Sequence, residues 1–158
     1  MRKGFTLIEV LLVLVILSTM VAVTLPYATR SHDSLRLEQE VRNLADAVRY
    51  ATQLAENTNR PIRVLLDTTR GCYCLQTTTL DAQEYVSIED PIGVLRYLDP
   101  KVRIVNVEGF ESDERDQHYL SLDPRKPWPE AALDLSAGDW RRKVKVTGRR
   151  VEVEDAAK

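Results

Sequence analysis

From Phe5 to Leu25 the chain is apolar apart from one charge, Glu9, close to the start of the run. At about 1.5 Å per residue the segment makes a helix of ~32 Å, enough to cross a hydrocarbon core of ~30 Å. Arg2 and Lys3 precede it, so residues 1–4 are predicted to stay in the cytoplasm and the chain after Leu25 to lie outside. Pro26 follows at once and removes a helical hydrogen bond, which predicts a kink or a loosened turn. Beyond it Leu37, Val41, Leu44, Val48, Ala51 and Ala55 recur in steps of four and three. Arg36, Glu38, Glu40, Arg42, Asp46 and Arg49 lie between them. This is an amphipathic helix with one narrow stripe to bury, and a sheet is its expected cover. The helix should end near Asn57, where Asn57-Thr58-Asn59-Arg60-Pro61 joins poor helix formers to a proline.

After Pro61 the period becomes two. Ile62–Leu66 and Cys72–Thr77 read as strands joined by Asp67-Thr68-Thr69-Arg70-Gly71, and Val102–Val107 and Tyr119–Leu122 as further strands. The polar stretch Glu111–Gln117 predicts an exposed loop. Pro124, Pro127 and Pro129 keep their segment out of regular structure. At the end, Lys143–Val146 and Arg150–Val153 alternate around Thr147-Gly148-Arg149, a hairpin with its valines on one face. A long N-terminal helix followed by an antiparallel β-sheet is an α+β plan.

Composition narrows the picture without redrawing it. The chain has 158 residues and a formal net charge of −2 with signs interspersed, so bulk electrostatics predict no nucleic-acid partner. Residues 26–158 suffice for one small domain and not two. A carboxylate inside an apolar helix costs on the order of 2–3 kcal/mol at mid-membrane, so Glu9 calls for a partner. A conventional signal peptide would need a small-residue cleavage site after the apolar run, and Ser18 and Ala22 offer a poor one. A plain uncleaved anchor explains the span but not Glu9 or the Gly4-Phe5 junction.

Gly4-Phe5-Thr6-Leu7-Ile8-Glu9, followed by the long aliphatic run and Pro26, resembles the processing site and first helix of type IV pilins and type II secretion pseudopilins. The order of the later segments is similar to the GspH/FimT group of minor pseudopilins and minor pilins. The matching stretches are Leu44–Ala55, Asn59–Val64, Gly71-Cys72-Tyr73 and the closing Val144–Val153 hairpin. The resemblance implies three parts: a leader over residues 1–4, a membrane and assembly helix over 5–25, and a periplasmic pilin-like domain over 26–158. It implies cleavage between Gly4 and Phe5 by a prepilin peptidase, N-methylation of Phe5, and pairing of Glu9 with a neighbouring subunit's terminal amine. The implied partners are major and minor pseudopilins, the peptidase and an inner-membrane assembly platform. The expected function is that of a minor pseudopilin in the periplasmic pseudopilus of a type II secretion system. The alternative is a FimT/FimU-like minor pilin of a type IV pilus. A third possibility, from another class, is a membrane-anchored periplasmic ligand-binding domain that never assembles.

Other candidate chemistry is thinner. Cys72 and Cys74 are two apart on a strand, with parallel side-chain vectors that disfavour a direct bridge, and read best as small apolar residues on one sheet face. Glu111, Asp113, Glu114 and Asp116 could gather oxygens for Ca²⁺ but lack ligand spacing, and a solvated loop is the better reading. Trp128 and Trp140 could be interface anchors or could close the core. No nucleophile set, phosphate loop or metal signature is present, so neither catalysis nor a cofactor is expected.

Overall fold

The computed structural model describes residues 6–79, 84–113 and 117–155, and for 23–31 the backbone only. One helix, α1 (Leu7–Thr58), is followed by ten strands. The helix continues through Pro26, because proline deletes only its own N–H from the ladder and later turns can resume. It stops one residue past the expected Asn57: Asn59 takes a left-handed conformation (φ 51°, ψ 35°) that asparagine tolerates, and closes the C-terminus.

The strands are β1 (Ile62–Asp67), β2 (Cys72–Thr78), β3 (Tyr85–Ser87), β4 (Arg96–Tyr97), β5 (Arg103–Glu108), β6 (Glu111–Ser112), β7 (Gln117–Leu122), β8 (Glu130–Ala137), β9 (Trp140–Thr147) and β10 (Arg150–Asp155). They form two antiparallel sheets, where the periodicity had suggested one. The first has the order β3-β2-β1-β7-β6, with β4 also on β2, and the second β10-β9-β8-β5. The chain changes sheet between β5 and β6. There Gly109 (φ +74°) lies so close to Glu130 that an added Cβ would sit 2.2 Å from its carbonyl oxygen. Only glycine permits that approach.

The predicted helical stripe is the floor of the core. Leu37, Val41, Leu44, Val48, Ala51 and Ala55 are all buried, and they meet Ile62, Val64 and Leu66 of β1, Leu120 and Leu122 of β7, Leu133 and Leu135 of β8, and Val144 and Val146 of β9. Burial of this stripe against both sheets supplies the stability that helix propensity alone does not. β8 was not foreseen, although Ala131, Leu133, Leu135 and Ala137 alternate and are buried. Two small alanines and the preceding prolines obscure the pattern. The polar stretch expected to be a loop from Glu111 begins as β6, a two-residue strand paired with Tyr119 and His118. Both its residues are exposed, as expected, while Glu114 and Asp116 lie outside the described residues.

Candidate assembly surface

The N-terminal half of α1 departs from the usual character of a surface helix. Thr6 precedes it in extended conformation without a side-chain cap, and the first turn is closed by Glu9 N–H (3.0 Å) and Val10 N–H (3.3 Å) donating to the Thr6 carbonyl. Every described side chain from Thr6 to Ala22 is exposed, so leucines, valines and isoleucines face outward round the whole circumference. Within the helix up to Ala22 the hydroxyls are consumed internally: Ser18 Oγ donates to the Leu14 carbonyl at 2.7 Å and Thr19 Oγ1 to that of Ile16 at 2.8 Å. What remains is a purely apolar rod bearing one carboxylate, Glu9, in its first turn, where the helix dipole favours negative charge. Such a surface can be satisfied by lipid or by other apolar helices.

Among the described residues no helix is long and apolar enough to cross a membrane, the described side chains of the apolar run ending at Ala22. Of the residues singled out in the sequence, Gly4 and Phe5 lie outside the described residues. Glu9 is exposed on the rod, and the backbone at Pro26 is helical.

Where α1 enters the domain its two flanks differ. On one side Arg36 pairs with Asp99 and Lys101 with Asp33, each at 3.0 Å, tying the β4–β5 connection to the helix. Glu40 sits in the same cluster. Burial foremost, with the Asp99 carboxylate adding, pushes its carboxyl above the usual range, and Asp99 N–H and Asn43 oppose this. On the other side Glu38, Arg42, Asp46 and Arg49 line a groove of about 550 Å³ with Arg142, Val153, Glu154 and Asp155 of the second sheet. Three ion pairs join six of its charged residues: Arg42 with Glu38, Arg49 with Asp46 at 2.8 Å, and Arg142 with Asp155. Arg49 also donates to the Val151 carbonyl at 2.8 Å, covering the free edge of β10.

The remaining candidates resolve as packing. Cys72 and Cys74 are free and buried on the face of β2 opposite Tyr73 and Leu75. Burial pushes both thiols up, Asp67 adding at Cys72 and Cys72 at Cys74. Trp128 packs against the core beneath Arg149, 5.8 Å from its ring, whereas Trp140 is half exposed at the start of β9. No cluster of potential metal ligands occurs among the described residues. Periodicity marks no element from Tyr85 to Tyr97, because the exposed apolar residues there lack a clean period.

Residues 1–25 match the family described as the prokaryotic N-terminal methylation motif. The fold is similar to that of the minor pseudopilin EpsH from the type 2 secretion system of Vibrio cholerae. One structure of EpsH is 11% identical with a TM-score of 0.62, covering 76% of this chain and 97% of that one. A second EpsH structure is 9% identical with a TM-score of 0.60, covering 78% and 96%. At such identities the likeness is one of fold, a long helix packed on antiparallel sheets. No curated protein matches the sequence.

Proposed function

We propose that this chain is a minor pseudopilin, a structural subunit of the periplasmic pseudopilus of a type II secretion system. One observation carries the reading: an N-terminal methylation motif continues without a break into an exposed apolar rod, and the rod belongs to the same helix that forms the core of an EpsH-like domain. In this reading the Phe5–Leu25 helix first waits in the inner membrane, with Arg2 and Lys3 held on the cytoplasmic side. Prepilin peptidase cuts between Gly4 and Phe5, and Phe5 becomes the N-methylated terminus. The assembly platform then draws the subunit into a bundle in which apolar helices bury one another and the sheets face the periplasm.

Glu9 gives the bundle its register. No ion pair of Glu9 forms within the described chain, and a carboxylate in an apolar bundle is tolerable only when paired, here with the Phe5 amine of an adjacent subunit. Pro26 interrupts the ladder where the rod meets the domain and gives the helix a place to adjust during extraction. The subunit acts by packing rather than by catalysis.

Intact-mass measurement on the membrane-extracted protein tests the first step: the chain should begin at methylated Phe5, and a mature start after Ser18 would overturn the reading. Deleting the gene separates the two fibre types. Loss of protein secretion with pili intact is expected, and loss of type IV pili with secretion intact would move the chain to the pilus.

A further inference from the structure

The chain's two cysteines, Cys72 and Cys74, have no part in the assembly reading. Both are free, 4% and 5% exposed, and lie in β2, an interior strand of the first sheet. On β1 Cys72 stands opposite Asp67 and Cys74 opposite Leu65, and on the other side Cys72 stands opposite Tyr97 of β4. Tyr73 between them points to the other face, where it is 2% exposed and belongs to the core. The backbone here is held from both sides. Cys72–Thr77 pair along β1, while Leu98 N–H donates to the Gly71 carbonyl at 2.8 Å and Leu75 N–H to the Gly93 carbonyl at 2.9 Å.

A strand held extended fixes the spacing of the two thiols. Residues two apart on one face are ~6.6 Å apart, with parallel side chains. A disulfide needs its two Cβ atoms within about 3.5–4.5 Å. Closing the gap requires the strand to shorten by roughly 2 Å around Tyr73. That bend would draw Tyr73 from the core and part β2 from Leu66 of β1 and Arg96 of β4, the partners of Tyr73. In an unfolded chain no sheet opposes the bend, and a single residue separates the thiols.

We infer that Cys72 and Cys74 form a redox switch on folding: the bridged chain cannot build the first sheet, and the folded chain cannot form the bridge. The co-reactant is a disulfide, carried by an oxidoreductase or a small molecule of an oxidising compartment. The thiolate of one cysteine attacks that disulfide, releasing one thiol and leaving a mixed disulfide. The sulfur of the other cysteine attacks the mixed disulfide, closing the bridge and releasing the second thiol. Two electrons and two protons pass from the cysteine pair to the oxidant. In the folded domain the first step lacks access and the second lacks geometry. The burial that raises both thiols above their usual range also deprives the first step of thiolate. A chain delivered to the periplasm must therefore complete β2 before the oxidant reaches it, and a chain oxidised first is held unfolded until reduced. That consequence rests on the proposed function, whereas the exclusion itself does not.

Oxidised glutathione added to the purified full-length chain in detergent tests the exclusion, with free thiols counted by alkylation and mass spectrometry. In denaturing urea the chain should lose both thiols to an internal bridge. The folded chain should react at least about a hundredfold more slowly, because it must open first. Diluted from urea, the bridged chain should show no cooperative melting, and dithiothreitol should restore the transition of the reduced chain. A bridge that forms as fast in the folded chain, or a bridged chain that melts like the reduced one, overturns the inference. So does an unfolded chain that takes up two separate glutathiones and no bridge. Protease-resistant chain taken from cells gives a second reading that needs no refolding: two free thiols are expected, and a Cys72–Cys74 bridge overturns the inference. The compartment is tested apart from this. In cells Leu44→Asp, which places a carboxyl in the core, should carry the bridge. Free thiols in that variant, with the purified chain behaving as expected, leave the exclusion standing and overturn the periplasmic placement.

Discussion

Replacing Leu44 with Asp isolates the contact on which the domain depends. Leu44 is buried on the α1 stripe, facing Val64 and Leu66 of the first sheet and Leu133, Val144 and Val146 of the second, with Phe110 and Val48 closing the site. The gap among these residues measures about 10 Å³, barely the room one water needs, and has no polar side chain to offer a carboxylate. Two costs follow. Removing the leucine side chain costs about 2–5 kcal/mol. Keeping the new carboxyl neutral at pH 7 costs ~1.4 kcal/mol per unit over roughly three units, about 4 kcal/mol. Their sum, roughly 6–9 kcal/mol, rivals the whole stability of a small domain, typically about 5–15 kcal/mol.

The second cost has a pH signature. The folded-state pKa of the introduced Asp is raised above its unfolded value, so the penalty is absent below about pH 4 and grows as pH rises. Urea unfolding of a soluble form beginning near Ser31 should therefore show Leu44→Asp approaching Leu44→Ala at pH 4 and falling far below it at pH 7. A wild-type midpoint for Leu44→Asp, or an equal deficit at both pH values, would refute the packing described for α1.

Glu9→Gln should leave insertion and cleavage after Gly4 intact, since an amide costs less in the membrane than a carboxylate, while fibre incorporation and secretion fail; full secretion would show that Glu9 is merely tolerated. Glu40→Gln should raise the melting temperature at pH 7 and lose that advantage toward pH 4, because burial lifts this carboxyl and its charged form is the penalised one; a gain that grows on acidification would contradict the sign. Gly109→Ala should unfold or badly destabilise the domain, whereas Gly71→Ala, with positive φ (+62°) but open space, should cost only about 1 kcal/mol in urea denaturation; equal effects would mean that the Glu130 contact is not close. Cys72 and Cys74 should react with a thiol reagent at pH 8 only after unfolding; rapid labelling of the native protein would contradict their burial.

What could be read without a structure was whatever one element decides alone. The steps from Leu37 to Ala55 place six side chains on one face of any helix, and the alternations at Ile62–Leu66 and Val144–Val153 place others on one face of any strand. The methylation motif is equally local, because it is carried by consecutive residues of one short segment. The cover over each face was not legible, because non-local pairing chooses it. One of the crossings between the two sheets brings Gly109 against Glu130, residues whose proximity no period announces. Val153 shows the same limit. It shares a sheet face with Val144, its partner across the hairpin, yet it is 40% exposed where Val144 is buried, because α1 runs over one and leaves the other beside the charged groove. Segment 85–97 became the edge of the first sheet only because β2 holds its backbone and Tyr50 holds Asp90, both from distant parts of the chain. Glu9 was legible for the opposite reason: a charge in an apolar rod is costly wherever the chain folds, and in the proposed fibre the cation that would offset the cost belongs to another molecule.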